Sequence, residues 1–129
     1  MNLEYLHLRS QYIQSVRSFF GERAYLEVDT PVLADRVIPE PTIKLFETRI
    51  SRTPGDKPMA TYLLPSPELY MKRLVAEGSG SIFQLSRSFR NQEMPSRLHQ
   101  PEFLMLEWYT VPADYLDSLE TAETLLNEI

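Results

Sequence analysis

Two segments in which apolar and polar residues alternate dominate the pattern of the chain's second half. In residues 81–90, the apolar Phe83, Leu85 and Phe89 share one face, because successive side chains of a strand point to opposite sides. The other face of this segment carries Gln84, Ser86, Ser88 and Arg90. In residues 102–109, one face holds Leu104, Leu106 and Trp108, and the other holds Phe103, Met105, Glu107 and Tyr109. We therefore predict two antiparallel strands that pack their apolar faces on helices and leave an open, polar sheet face.

Helical spacing of apolar residues predicts three helices around these strands. The first is expected to bury Tyr12, Val16, Phe19 and Phe20. The second begins at residues 66–68, where a hydroxyl cap, a proline and an acid are typical of a helix start, and runs to about Gly78. The third begins at about Asp114 and is expected to bury Leu116, Leu119, Ala122, Leu125 and Leu126. Short strands at 26–31, 46–50 and 62–64 complete an α+β fold, an antiparallel sheet flanked by helices.

The bulk composition narrows the class of protein. A chain of 129 residues with 43% hydrophobic residues is one ordinary globular domain. The net charge of −5 does not favour a nucleic-acid backbone, so clustered arginines must meet any polyanion locally. The four glycines form neither a P-loop nor a dinucleotide-binding turn. There is no cysteine, no signal-like N-terminus and no long apolar stretch, so we expect a cytoplasmic protein without a membrane span.

Arg90 and Phe103 are the first candidates for a ligand site. A guanidinium at the end of a strand can fork onto a phosphate oxygen, where negative charge grows during displacement at phosphorus. The alternative for Arg90 is a cross-strand ion pair with Glu107. Phe103 faces the same side as Glu107, and its ring beside an arginine can hold a purine base, although an inward phenylalanine is more often part of a core.

Carboxylates and one histidine form a second set of candidates. Glu107 and Tyr109 are two residues apart and share a strand face, so they present an acid and a phenol together. Glu68 either satisfies the start of its helix or joins Glu107 in a strongly negative pocket suited to an ammonium group. His99 lies in the loop with Glu93, and a role near a distal phosphate is open. No second histidine is suitably spaced for a metal, so no metal site is expected in this chain.

In this order, these segments resemble the class II aminoacyl-tRNA synthetases of the lysine-type subgroup. Residues 23–33 look like part of motif 1, which spans about 20–33 and forms the dimer interface of that family. Residues 89–93 and 99–109 look like motif 2, which spans about 83–109. Residues 67–74 look like the amino-acid-binding helix between the two motifs. The resemblance implies that residues 1–129 are the N-terminal part of a synthetase-like catalytic domain.

The resemblance also implies a role for each motif residue. Arg90 would be the catalytic residue that contacts the α-phosphate of ATP, and Phe103 would stack on adenine. The full set implied for ATP binding is Arg90, Asn91, Gln92, Glu93, His99, Gln100 and Phe103. The set implied for the amino-acid substrate is Ser66, Pro67, Glu68, Glu107 and Tyr109. Glu68 would hold the α-amino group or a neighbouring amine, and Glu107 with Tyr109 would select a lysine-like side chain.

Three features make the chain similar to the elongation factor P–(R)-β-lysine ligases, which are stand-alone paralogues of lysyl-tRNA synthetase. The chain begins at the motif 1 helix, Ser66 precedes the Pro67-Glu68 pair, and Trp108 precedes Tyr109. Two positions depart from the pattern. Gln92 stands where many relatives have glutamate, so that Glu93 makes the adenine-side contact or the contact is weakened, and Gln100 replaces an asparagine.

Motif 3 and the acids that hold Mg²⁺ in the family have no counterpart here, and we expect them in a missing C-terminal half. The function implied is ATP-dependent activation of lysine or (R)-β-lysine as an aminoacyl-adenylate and its transfer to a lysine of elongation factor P. The alternatives are aminoacylation of tRNA by a lysyl-tRNA synthetase-type enzyme and a non-catalytic synthetase-like module. We expect weak ATP binding and negligible turnover from these 129 residues alone, and a homodimer formed through motif 1.

Overall fold

The structure, a computed structural model, describes residues 2–37, 40–94 and 96–129. In chain order the elements are α1 (Leu3–Glu22), β1 (Leu26–Glu27), β2 (Leu33–Ala34), β3 (Phe46–Ile50), β4 (Met59–Leu63), α2 (Glu68–Ala76), β5 (Ile82–Phe89), β6 (Glu102–Tyr109) and α3 (Tyr115–Glu128). Two compact units result. The first contains the chain up to Val28, Val75–Phe83 and Trp108–Ile129, and the second contains Asp29–Leu74 and Gln84–Glu107. Within the described residues, no helix combines the length and apolarity that crossing a membrane requires.

An aromatic cluster around Phe20 forms the core of the first unit. The Phe20 ring is fully buried and stacks on Phe83, with 4.7 Å between ring centroids and 14° between ring planes. Phe19 and Tyr25 present their edges to Phe20 at centroid distances of 5.1 and 5.0 Å. These are favourable geometries for aromatic pairs. They show why α1 and the residues that follow it pack on the start of β5.

The predicted burial along α1 is correct for its C-terminal half only. Val16, Phe19 and Phe20 are buried, but Tyr12 is 53% exposed, so its predicted place in the core is wrong. The helix passes through Gly21 and ends at Glu22, and Ala24 then turns the chain with a positive φ of 59°. The turn after Gly21, rather than the glycine itself, therefore ends the helix.

The helix α3 begins where the sequence predicts but buries fewer of its leucines. Asp114 caps it by accepting hydrogen bonds from the amides of Leu116 and Asp117, and Asp117 completes a capping box. Leu125 is buried, whereas Leu116, Leu119 and Leu126 are exposed, so the prediction is wrong for those three leucines. The apolar face of α3 is wider than the part of the helix that packs inside the first unit. Sequence periodicity shows which residues share the apolar face, but not which of them another element covers.

The second unit contains the antiparallel sheet β2-β4-β3. Leu63 of β4 pairs with Leu33 of β2 and with Phe46 of β3, and Ile50 pairs with Met59 at the other end of the hairpin. The loop that carries Gly55 joins the two long strands, as its turn residues predict. The chain reaches α2 directly after β4, so this sheet fixes where the helix begins.

The sheet β1-β5-β6 is mixed rather than purely antiparallel. β1 runs parallel to β5, with Leu26 opposite Ile82. β5 and β6 are neighbours in this sheet, and their ends identify the direction of pairing. Ser81 at the start of β5 bonds to Val111, whereas Arg90 at its end donates its amide to the Pro101 carbonyl at 3.0 Å. The numbering rises on one strand as it falls on the other, so the predicted antiparallel pair is confirmed.

The predicted open polar face of β5 is wrong along most of that strand. Gln84, Ser86 and Ser88 are buried, whereas Arg87 on the opposite side is exposed and pairs with Glu102 at 3.1 Å. The cover on one face of a strand depends on the element packed against that face, which the alternation of residues does not reveal. Gln84 Oε1 accepts a 2.9 Å hydrogen bond from the buried Thr30 hydroxyl. The polar character of Gln84 therefore reflects internal hydrogen bonding.

Candidate functional site

Arg90 and Phe103 lie together at the end of the β5–β6 pair. The Arg90 guanidinium carbon is 5.4 Å from the centroid of the Phe103 ring, within the range of a cation–π contact. Arg90 Nη1 is 3.7 Å from Glu93 Oε1. Arg90 Nε is buried and has no hydrogen-bond partner among the residues that the structure describes. The predicted proximity of a guanidinium and a flat ring is confirmed, and one donor on the guanidinium still requires an acceptor.

Asn91 fixes the start of the loop that follows Arg90. Its amide donates to the Lys44 carbonyl at 2.7 Å, and its side-chain nitrogen donates to the Leu45 carbonyl at 3.4 Å. Gln92 has a positive φ of 58°, and its amide donates to Asn91 Oδ1 at 2.9 Å. Gln92 is exposed to solvent. Asn91 thus has a structural role in the turn, and the ATP contacts implied for both residues remain predictions.

His99 and Gln100 are organised by a serine of their own loop. His99 Nδ1 and the Ser96 hydroxyl are 2.8 Å apart, and Gln100 Nε2 donates to the Ser96 carbonyl at 3.4 Å. The Ser96 hydroxyl also accepts the amides of Leu98 and His99 at 3.1 and 3.0 Å. These bonds give the exposed loop a local framework. Contact of His99 or Gln100 with ATP remains a prediction.

Ser66 links the start of α2 to a carboxylate on β6. Its hydroxyl donates to Glu107 Oε2 at 2.6 Å and accepts the Glu68 amide at 3.0 Å. The buried Pro67 supplies a carbonyl that accepts the amides of Tyr70 and Met71, both at 3.0 Å. The hydroxyl cap predicted from the sequence is confirmed. The same hydroxyl also orients the Glu107 carboxylate, which the sequence pattern did not reveal.

Lys72 is a member of this cluster that sequence reasoning missed. Its ammonium contacts the Glu68 carboxylate one helical turn away. The hydrogen bond and the charge of Glu68, with a further contribution from Glu107, raise the pKa of Lys72 above its ordinary value of 10.5. The pocket predicted to be strongly negative is therefore partly neutralised from within. The glutamate-to-lysine spacing of four residues was the available signal, because such pairs meet on a helix surface.

Comparison with known proteins decides the family. The model for class II tRNA synthetases (D, K and N) matches residues 2–129. The chain belongs to this class II synthetase family. An elongation factor P–(R)-β-lysine ligase of Mannheimia succiniciproducens is 43% identical over 124 residues, which are 96% of this chain and 38% of that protein. The similarly named protein of Hamiltonella defensa is 41% identical over 121 residues, which are 94% of this chain and 37% of that protein.

A third relative shows the same proportions. The elongation factor P–(R)-β-lysine ligase of Actinobacillus succinogenes is 40% identical over 128 residues, 99% of this chain and 39% of that protein. The chain therefore spans less than two fifths of the length of these curated relatives. Family membership follows from the match itself, and the roles of individual site residues rest on the geometry described above.

Two residues of the chain offer groups of the kind that contact a nucleotide. Phe103 offers a ring face, and Arg90 offers a buried donor that lacks a partner among the described residues. Within the part of the chain that the structure describes, no three acids or histidines cluster closely enough to hold a metal ion. Tyr109 ends β6 in the first unit, and its convergence with Glu107 remains a prediction from strand alternation.

Proposed function

We propose that this chain is part of a ligase that activates lysine or (R)-β-lysine with ATP and transfers it to a lysine of elongation factor P. The observation that carries the proposal is the double role of Ser66, which holds Glu107 in place and starts the helix of Glu68. Glu107 with its carboxylate oriented by Ser66, and Glu68 at the helix start that Ser66 caps, suit the two ammonium groups of a diamino acid. The names of the relatives, which are elongation factor P–(R)-β-lysine ligases, support the same substrate and acceptor.

Arg90 and Phe103 are the residues that we assign to ATP. The adenine ring would lie against Phe103, and the Arg90 guanidinium, 5.4 Å from that ring, would reach the α-phosphate. The buried Nε of Arg90 would find its missing acceptor in a phosphate oxygen. Asn91 contributes by tying the chain after Arg90 to the residues before β3. Preorganisation of this kind lets a charged donor stabilise a transition state without first rearranging.

The chemistry proposed has two displacement steps. A carboxylate oxygen of the amino acid attacks the α-phosphorus of ATP, the new bond forms the aminoacyl-adenylate, and pyrophosphate leaves. Arg90 stabilises the negative charge that develops on the phosphoryl oxygens. The amine of the acceptor lysine then attacks the adenylate carbonyl, AMP leaves, and the amine loses a proton. Mg²⁺, when bound, would neutralise phosphate charge, and we assign its ligands to residues outside this chain.

We also propose a homodimer formed through the motif 1 region, residues 20–33. Leu26 is 57% exposed in this region, and Leu33 at its end is also exposed. Exposed leucines within the short strands β1 and β2 suit association with a second copy. Sedimentation of the wild-type polypeptide and of a Leu26→Lys variant tests this surface. A dimer that the lysine variant disrupts supports it, and equal sedimentation of the two proteins contradicts it.

A competition between acceptors tests the proposed function. The full-length ligase that contains this chain is given ATP, labelled (R)-β-lysine or lysine, and equal amounts of elongation factor P and tRNA. We expect label on elongation factor P, with no transfer to a variant factor whose acceptor lysine is replaced by arginine. Label on tRNA alone would assign the chain to the aminoacylation of tRNA instead. Transfer to neither acceptor, without adenylate formation, would favour the non-catalytic module.

A further inference from the structure

The Glu68 carboxylate, which the proposed function assigns to a ligand ammonium, already contacts an ammonium of the protein. Lys72 Nζ lies against Glu68 Oε1 on the same face of α2. The Lys72 side chain is 60% exposed and the Glu68 side chain 36% exposed. The amine of Lys72 is chemically the same group as the primary ammonium of a lysine-type ligand. The Glu68 carboxylate can therefore pair either with the Lys72 ammonium or with the chemically equivalent ammonium of the ligand.

We propose that Lys72 is an internal counter-ion of Glu68 that the amino group of the substrate must displace, and that it thereby determines specificity in the amine pocket. This inference rests on the proposed function. Lys72 does not contact the reacting atoms and acts through Glu68. Its charge stabilises Glu68 in the empty pocket and reduces the net gain when a ligand ammonium binds there.

Displacement of Lys72 requires no change in the fold. A pair four residues apart on an exposed helix surface contributes little to stability, and its flexible stem lets the ammonium move into water. The backbone of Glu68 stays where it is, because its amide is held by the Ser66 hydroxyl at the start of α2. The carboxylate therefore remains at the helix start when the more exposed lysine side chain moves away.

Glu107 makes the effect of Lys72 selective. Its carboxylate accepts the 2.6 Å hydrogen bond from Ser66, the residue that also caps the helix of Glu68, and it adds to the raised pKa of Lys72. A diamino acid offers one ammonium for each acid, but the ammonium at Glu68 only replaces a partner already present. A ligand with a single distal ammonium can use Glu107 and leave the pair of Glu68 and Lys72 intact. Lys72 therefore sets how much the amino group nearer the carboxyl contributes to affinity.

A ligand-by-residue cycle tests the inference. Affinities of lysine, (R)-β-lysine and 6-aminohexanoate are measured by titration calorimetry. The proteins compared are the full-length wild-type ligase that contains this chain and its Lys72→Met variant. 6-Aminohexanoate lacks the amino group near the carboxyl. We expect Lys72→Met to tighten both diamino acids about 2- to 5-fold, which is the range for loss of an exposed competing ion pair, and to leave 6-aminohexanoate unchanged.

Two further variants separate the proposed role from a structural one. Lys72→Arg keeps the charge and should restore wild-type selectivity, whereas Lys57→Met removes an exposed lysine between β3 and β4 and should change none of the affinities. Equal effects of Lys72→Met on all three ligands, weaker binding of the diamino acids, or no effect would overturn the inference. Failure of the wild-type polypeptide to bind either diamino acid would instead overturn the proposed function.

Discussion

Ser66 and Glu107 are joined by a 2.6 Å hydrogen bond from the serine hydroxyl to Oε2 of the glutamate. The Ser66 hydroxyl oxygen also accepts a hydrogen bond from the Glu68 amide at 3.0 Å. One small side chain therefore caps a helix and orients a carboxylate on a strand distant in sequence. The start of α2 and the Glu107 carboxylate on β6 are therefore tied to each other through Ser66.

Replacement of Ser66 by alanine should affect both stability and substrate binding. Loss of the helix cap and of a hydrogen bond to a carboxylate should lower the free energy of unfolding by about 1–3 kcal/mol, measured by chemical denaturation. The KM for the amino acid should rise more than the KM for ATP, because Glu107 loses its orienting donor. Ser66→Thr retains the hydroxyl and serves as the control. Equal changes in the two KM values would count against the orienting role.

Replacement of Phe103 should affect ATP alone. Stacking of a base on an aromatic side chain is worth about 1–3 kcal/mol, so Phe103→Ala should raise the KM for ATP by roughly 5- to 150-fold. Phe103→Tyr keeps the ring and should remain near wild type. Steady-state kinetics with each substrate varied in turn provide the measurement. An alanine variant with an unchanged KM for ATP would remove Phe103 from the nucleotide site.

Within α1, substitutions at the residues of the aromatic core should lower the free energy of unfolding most. Phe20→Ala removes a fully buried ring that stacks on Phe83, and should lower the free energy of unfolding by about 3–5 kcal/mol. Tyr12→Ala, on the exposed part of the same helix, should change it by less than about 0.5 kcal/mol. Thermal and denaturant unfolding compare the two variants. A large loss of unfolding free energy in the Tyr12→Ala variant would show that Tyr12 packs in the core.

Two buried hydroxyls should be dispensable for stability. Ser88 Oγ and Thr61 Oγ1 have no hydrogen-bond partner among the described residues. Removing a buried polar group that lacks a partner relieves a desolvation cost, so Ser88→Ala and the similarly shaped Thr61→Val should each raise the free energy of unfolding by roughly 1 kcal/mol. Denaturant midpoints provide the test. A loss of stability in both variants would show that each hydroxyl is satisfied in solution.

Local sequence signals predicted most elements of the fold, although the strand predicted at 26–31 is only Leu26–Glu27 and β2 was not predicted. The bounds of β6 agree with its alternating pattern, and the polar caps at Ser66 and Asp114 start α2 and α3 as predicted. These signals are local, because a cap or a strand face depends on a few neighbouring residues. Burial is not local. Gln84 and Ser88 are polar yet enclosed, whereas Leu119 is apolar yet exposed, since each depends on which element lies opposite.

The sequence predicted which residues belong to the candidate site, but not the hydrogen bonds and ion pairs that join them. Motif resemblance selected Arg90, Phe103, Glu68 and Glu107, and the structure brings Arg90 beside Phe103. The hydrogen bond between Ser66 and Glu107 joins segments whose spacing in the sequence carries no trace of the contact. Lys72 was within reach of a helix-spacing rule, but a positive charge was not expected in a pocket assigned to ammonium groups.

ATP–pyrophosphate exchange tests most directly whether this site forms an aminoacyl-adenylate. The assay uses the full-length ligase that contains this chain. We predict exchange that requires lysine or (R)-β-lysine and that falls about 10²- to 10³-fold in kcat/KM for Arg90→Ala, as expected when a charge-stabilising donor is lost. Exchange that is independent of the amino acid, or that is unchanged in the Arg90→Ala variant, would contradict the assignment of the site.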